Sequence, residues 1–304
     1  MRGWAGMLEC ETTKLTRASV SGITCRGGTI LHTSRTNPCR KEADMQKVME
    51  NFKKMDLDAL IAIGGDDTLT VASKMYDAGL KTIGVPKTID NDLSGTDCTF
   101  GFDTAINIAM EAIDRLHTTA ESHNRVMVVE LMGRHAGWIA LEAGMAGGAD
   151  VILIPEVQMS MEDICAIIKK RHAGGKSFSI VAVAEGFTLG GKEVLQGEDL
   201  DAFGHVKLGG IGTYLAKEIE KRTGFESRVT VLGHIQRGGS PTAFDRFLGL
   251  QFGVKAVDLV LNKDFGKMVS KCGNDIVAVS LKEAVAKLRT VPAELYELSK
   301  VFFG

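Results

Sequence analysis

Four short clusters in this chain combine residue types that suit phosphoryl transfer: carboxylates, a lysine and arginines, set among glycines. The first is Ile61-Ala-Ile-Gly-Gly-Asp-Asp-Thr68. An apolar run ends in Gly64 and Gly65, and a segment of helical period follows. Glycines let a phosphate approach the backbone, and a helix start offers free N–H groups. A carboxylate there, Asp66 or Asp67, suits Mg²⁺, which takes one or two carboxylates together with phosphate oxygens. The same residues also make an ordinary turn with an Asp N-cap.

The second cluster is Val85-Pro-Lys-Thr-Ile-Asp-Asn-Asp92. Phosphoryl transfer needs a base for the acceptor hydroxyl and cations for the spreading charge, and Asp90, Asp92 and Lys87 supply both. Pro followed by Thr-x-Asn-Asp is also good turn chemistry; three charges within six residues favour the functional reading. The third is Glu130-Leu-Met-Gly-Arg-His-Ala-Gly137. An arginine at a helix start opposes the helix dipole, so Arg134 is better explained by an anion it binds than by a surface turn. The fourth runs from Arg228 to Ser240 and holds His234 and Arg237 ahead of a glycine pair. Arginine forks grip phosphate in a bidentate manner. A lone histidine is usually structural; His234 gains weight from its neighbours. His32, His117, His123, His172 and His205 are scattered without ligand spacing.

The elements around these clusters alternate. Strand candidates are 58–63, 82–85, 126–131, 151–154, 179–184, 229–232 and 276–279. Helical candidates are 68–78, 104–116, 136–146, 161–171, 211–221, 244–261 and 281–288. Several strands are apolar on both faces, as strands buried between helices are. Repeated strand-then-helix order predicts an α/β protein with mostly parallel sheets in two layered halves. Each cluster then falls at the carboxyl end of a strand, where open parallel sheets bind ligands. Residues 189–210, rich in glycine and charge, read as a surface loop or hinge.

The bulk numbers narrow the class. The 304 residues are 44% hydrophobic and 24% charged, with a formal net charge of -2. That balance argues against nucleic-acid and anionic-membrane partners. Six cysteines at irregular spacing form no C-x-x-C pair, so free thiols in a reducing cytoplasm are expected. No apolar run reaches the roughly 18 residues of a membrane helix, and the first residues lack a signal-peptide pattern.

At the clusters the chain closely resembles the phosphofructokinase family. The matching segments are Gly27-Gly-Thr-Ile-Leu31, Thr33-Ser-Arg35, Gly64-Gly-Asp-Asp67, Lys87-Thr-Ile-Asp-Asn-Asp92, Met132-Gly-Arg134 and Gly233-His-Ile-Gln-Arg-Gly-Gly-Ser240, in family order. The resemblance implies two similar three-layer α/β domains with crossing segments. A phosphoryl-donor domain would take 1–101 plus 241–289, and a sugar-phosphate domain 102–240 plus 290–304. It implies Asp90 as the base for the sugar 1-hydroxyl, Asp66 as the Mg²⁺ carboxylate, and Thr88, Ile89 and Asp92 around the base. Met132, Gly133 and Arg134 would meet the sugar, with Arg134 near the transferred group and Glu185 on sugar hydroxyls. His234, Ile235, Gln236 and Arg237 would form the 6-phosphate site. Gly64, Gly65 and Arg35 would hold the donor. Arg125 and Arg228 resemble arginines that reach the phosphate from a neighbouring subunit, so a homodimer or homotetramer is expected.

Asp67 and Lys87 resemble the pyrophosphate-dependent branch. ATP-using members carry glycine where this chain has Asp67, and a carboxylate there would crowd and repel a nucleotide's α-phosphate. The implied reaction is reversible pyrophosphate-dependent phosphorylation of fructose 6-phosphate at O1. The alternatives are an ATP-dependent 6-phosphofructokinase and a truncated sugar-phosphate-binding subunit. The family usually opens with a strand, a Gly-Gly-Asp-x-Pro-Gly-x-Asn loop, a helix and a second strand. None of these is present, and the expectation is that the sequence opens just after that second strand through a misplaced start or a fragmentary gene.

Overall fold

Nine short runs of extended chain sit side by side in two sheets in the computed structural model, which describes residues 1–190 and 208–303. The order opens with α1 (Trp4–Glu9), α2 (Glu42–Lys54), β1 (Leu60–Gly64), α3 (Asp66–Asp77), β2 (Thr82–Thr88), β3 (Phe100–Gly101) and α4 (Phe102–His123). It continues with β4 (Val126–Leu131), α5 (Trp138–Ala146), β5 (Val151–Leu153), α6 (Met161–Ala173), β6 (Ser179–Ala184), α7 (Ile211–Thr223) and β7 (Ser227–Val231). It closes with α8 (Ala243–Leu261), β8 (Lys267–Cys272), β9 (Asp275–Ser280), α9 (Leu281–Ala284) and α10 (Ala293–Lys300).

The first sheet runs β1-β2-β8-β9, with β3 added beside the end of β2. Only the β8–β9 hairpin is antiparallel. The second sheet, β5-β6-β4-β7, is wholly parallel. Strand alternation sends side chains to both faces of each sheet. In β4, Met127, Val129 and Leu131 join a core with α4 and α5, while Val126 and Val128 join one with α6 and α7. In β2, Ile83 and Val85 pack toward α8. Gly84 meets Leu69 and Leu281 on the other face, where a Cβ would lie 2.8 Å from Leu281 Cδ1. Both sheets are thus sandwiched between helices, as the patterning predicts.

Three buried polar contacts fix the frame around the clefts. Glu130, 3% exposed, accepts the N–H groups of Gly210 (3.0 Å) and Gly212 (2.8 Å) and so satisfies the start of α7. Asp245 of α8 accepts both the N–H (2.8 Å) and the hydroxyl (2.5 Å) of Thr104 in α4. The Thr242 hydroxyl donates to Asp103 in return. The first turns of α4 and α8 therefore cap one another.

Some elements differ from expectation. α1, α2, α10 and β8 are additional to the expected elements; α2 sets Met45, Val48, Met49 and Phe52 at helical spacing on one face, with Val48 fully buried. The helix expected over 281–288 stops at Ala284. After a turn at 285–287 the chain leaves the helix, because Leu288 bridges Leu93 and the Arg289 N–H donates to the Asp92 carbonyl at 2.8 Å. Most of the loop expected over 189–210, together with His205, lies outside the described residues.

Candidate active site

Two adjoining cavities, of about 840 and 230 Å³, open at the carboxyl ends of β1 and β2 and share Thr33, Gly65, Thr88, Asp90 and Arg237 in their walls. The smaller adds Arg35, Asp66, Asp67, Asp92 and Arg134. The larger adds Lys87, Ile89 and Gln236. Residues from both sheets thus converge on one cleft.

The turn after β1 is held by a close approach. A Cβ on Gly64 would lie 2.5 Å from Thr68 Cβ, and one on Gly65 3.3 Å from Thr88 Cβ. Asp66 and Asp67 then open α3, where acidic residues complement the helix dipole. The turn after β2 is held by its own polar groups. The Thr88 hydroxyl lies 3.2 Å from Asp90 Oδ2 and accepts the Asp90 N–H at 3.1 Å. Asn91 takes a positive φ of 52°, and its Oδ1 accepts the Thr99 N–H at 3.1 Å.

The turn after β4 carries Met132, Gly133 and Arg134. Arg134 has φ 56°, and its N–H donates to Glu185 Oε1 at 3.0 Å. A Cβ on Gly133 would sit 2.5 Å from the Ala136 carbonyl oxygen, and one on Gly186 2.0 Å from that of Arg134. Glu185 and Gly186 thus clamp the turn, and the Arg134 guanidinium reaches Asp67 at 3.2 Å.

The cleft shifts proton affinities in a concerted way. Burial raises the Asp90 carboxyl above its ordinary value, against the pull of Arg237, Arg134 and the Thr88 hydroxyl. Burial, with Asp90 and Asp66 beside it, pushes Asp92 up to about 7. Burial also raises Glu185, and it lowers Lys87 with help from Arg237. Burial opposes the charge of Arg134, yet Asp67, Asp90 and Asp92 hold its guanidinium above the ordinary value. Asp92 Oδ1 is buried without a hydrogen-bond partner. Among the described residues no trio of His, Cys, Asp or Glu is set to hold a metal unaided. The excess carboxylate around Asp92 fits instead a hard cation that takes most of its ligands from phosphate and water.

A family model described as Phosphofructokinase matches residues 1–260. The chain belongs to the phosphofructokinase family. It is 57% identical to the pyrophosphate–fructose 6-phosphate 1-phosphotransferase of Streptomyces coelicolor, over 99% of this chain and 89% of that protein. It is 49% identical to ATP-dependent 6-phosphofructokinase 2 of the same organism, over 99% of this chain and 89% of that protein. Among solved structures, Pichia pastoris phosphofructokinase in the T-state superposes with a TM-score of 0.83 at 32% identity, covering 99% of this chain and 34% of that one.

In this phosphofructokinase the remaining sequence-predicted residues divide. Gln236 is buried, and its amide donates to the Gly233 carbonyl at 3.2 Å. His234 and Ile235 are exposed on the same 3₁₀ turn and line neither cavity. Arg125 and Arg228 sit at the other, amino end of β4 and β7, gathered on Glu226. Six residues of strand, ~20 Å, separate them from the turn at Met132. Sequence reasoning missed Trp4, which lines the smaller cavity, and Arg289, which binds the Asn91 carbonyl at 3.1 Å. A tryptophan at position 4 and an arginine far downstream carry no local signal.

Proposed function

We propose that this chain catalyses Mg²⁺-dependent, reversible transfer of a phosphoryl group from pyrophosphate to O1 of fructose 6-phosphate. The observation that carries the reading is Asp67, first-turn carboxylate of α3, paired with Arg134 and facing the cleft of Asp90 and Lys87. A side chain at this position fills space that the inner phosphate of a nucleotide would need. The pairing with Arg134 offsets part of its charge, so bulk and residual repulsion act together. The relatives named for pyrophosphate are also more alike to this chain than those named for ATP.

In this mechanism Asp90 accepts the proton of the sugar 1-hydroxyl, and its raised basicity suits that task. Thr88 holds the carboxylate in place. Lys87, Arg134 and Arg237 balance charge on the phosphoryl group as it moves. Met132, Gly133 and Glu185 position the sugar, and Gly64, Gly65 and Arg35 the donor. Asp66 and Asp92 would hold Mg²⁺, which supplies charge neutralisation across the donor phosphates. Arg125 and Arg228 serve a neighbouring subunit's 6-phosphate site, beside His234, Ile235, Gln236 and Arg237. The exposed apolar stripe on α8, at Phe247, Leu250, Val254, Val257 and Leu261, supports association into a homodimer or homotetramer. The two halves divide as 1–101 plus 241–289 for the donor and 102–240 plus 290–304 for the sugar. The cytoplasm is the proposed location.

The test is product formation from fructose 6-phosphate with Mg²⁺ and either donor. Turnover with pyrophosphate and little with ATP is expected. Equal turnover with ATP would overturn the donor assignment.

A further inference from the structure

The catalytic turn at Asp90–Asp92 is strapped to the start of α5 by one side chain that touches neither cavity. Arg289 Nη1 donates to the Asn91 carbonyl at 3.1 Å, and the Arg289 N–H donates to the Asp92 carbonyl at 2.8 Å. The guanidinium sits over Trp138, with Cζ 3.9 Å from the ring centroid. Trp138 Nε1 returns a hydrogen bond to the Arg289 carbonyl at 2.9 Å. Trp138 is buried and follows directly on the Met132–Gly137 turn that carries Arg134. Two residues beyond Arg289, the Val291 N–H shares Glu156 with the Gly137 N–H at 3.0 and 2.9 Å.

This arrangement is more than a satisfied loop. Asn91 sits at positive φ, where a non-glycine residue needs its surroundings to hold it. Its side chain is tied to Thr99 on one flank and its carbonyl to Arg289 on the other. Asp90 and Asp92 are its immediate neighbours, so the turn at Asn91 sets where both carboxylates point. Arg289 therefore fixes the pitch of the turn, and through Trp138 it references that turn to the second sheet. A cation over a tryptophan face is attracted by the ring's negative face, and the two hydrogen bonds beside it fix the guanidinium in register.

We infer that Arg289 is a positioning residue, which sets Asp90 and Asp92 relative to the Arg134 turn through Trp138 and the Asn91 carbonyl. The inference rests on the proposed function for its kinetic consequence but not for its structural one. Displacing a catalytic group by about 1 Å costs up to ~100-fold in rate. Arg289→Met is expected to lower kcat ~10- to 100-fold on that basis, with the KM for fructose 6-phosphate little changed. Arg289→Lys, which keeps a cation for the ring and a donor for the carbonyl, recovers most of the loss.

The experiment measures kcat and KM for wild type, Arg289→Met, Arg289→Lys and Trp138→Phe. Hydrogen–deuterium exchange over residues 88–94 is measured on the same proteins without substrate. Trp138→Phe keeps a ring near the guanidinium while removing the Nε1–H bond and part of the indole's packing, so it reads the same strap if Arg289→Met folds poorly. Faster exchange confined to 90–94, with a kcat loss that Lys repairs, supports the inference. Unchanged exchange in that segment overturns it, as does a lysine variant no better than methionine. Failure of the wild type to use pyrophosphate would sink the functional reading alone, since the exchange comparison does not depend on turnover.

Discussion

Arg134 Nη2 lies 3.2 Å from Asp67 Oδ2, joining the turn after β4 to the first turn of α3. Both side chains are about one-quarter exposed, at 29% and 25%. The contact spans the cleft between the two sheets and puts the donor-side carboxylate in direct touch with the cation proposed to meet the transferred group. Donor choice and phosphoryl charge balance are therefore linked through one ion pair.

Asp67→Gly removes bulk and charge together and releases Arg134. Turnover with pyrophosphate should fall at least ~10-fold, about 1.4 kcal/mol in the barrier, while turnover with ATP rises. Asp67→Asn keeps the bulk and should retain discrimination against ATP to a larger degree. A paired-donor steady-state assay checks both variants.

Asp90→Asn keeps the turn's shape and removes the base. A loss of ~10²–10⁴-fold in kcat is expected for a missing general base. Fructose 6-phosphate binding, measured by calorimetry, should stay near wild type. A parallel loss of binding would assign Asp90 to substrate anchoring instead.

Asp92 makes stability depend on pH in a defined direction. The unfolded carboxyl releases its proton near 3.8 and the folded one near about 7. Between those values the folded state holds the extra proton, so stability falls as pH rises through the window. Asp92→Asn removes the penalty. In metal-free buffer its Tm should exceed that of wild type by a few degrees at pH 8, and the difference should vanish near pH 4.

Arg125 and Arg228 gather on Glu226 at the far end of their strands from Met132. If they serve a neighbour, Arg125→Ala and Asp90→Asn should each be nearly inactive alone. Co-expressed, the two should regain measurable activity, because some mixed assemblies carry one intact site. Absence of any regain in a verified mixed oligomer would place the arginines outside the reaction.

Tyr296 ties α10 to β5: its buried hydroxyl donates to the Ile152 carbonyl at 2.9 Å. Tyr296→Phe should cost roughly 1 kcal/mol of stability, the usual worth of one buried hydrogen bond. The urea midpoint reads this directly, and activity at low temperature should be unaffected.

The strands and their terminal turns were legible because buried parallel strands write themselves as apolar runs, and ligand turns interrupt them with glycine and charge. Gly64–Thr68, Lys87–Asp92 and Met132–Arg134 all carried that signature. What escaped were relationships at long range. The Trp138–Arg289 hydrogen bond spans 151 positions, and Asp245 accepts from Thr104 across 141. Nothing local marks either pair. α2 is different: Met45, Val48, Met49 and Phe52 are spaced as one helical face, a signal that the surrounding Lys and Glu residues dilute. β8 carries two lysines and a serine among its six residues and takes its strand character from pairing with β2 and β9.

The volume that a Cβ on Gly64 would need is already occupied by Thr68. Alanine at 64 is therefore admissible only with glycine at 68, a residue that disfavours a helix by about 1 kcal/mol relative to alanine. Any lineage or designer seeking a new donor must leave this pair alone. The route to altered specificity runs through positions 66, 67 and 87, on a backbone whose path is already frozen.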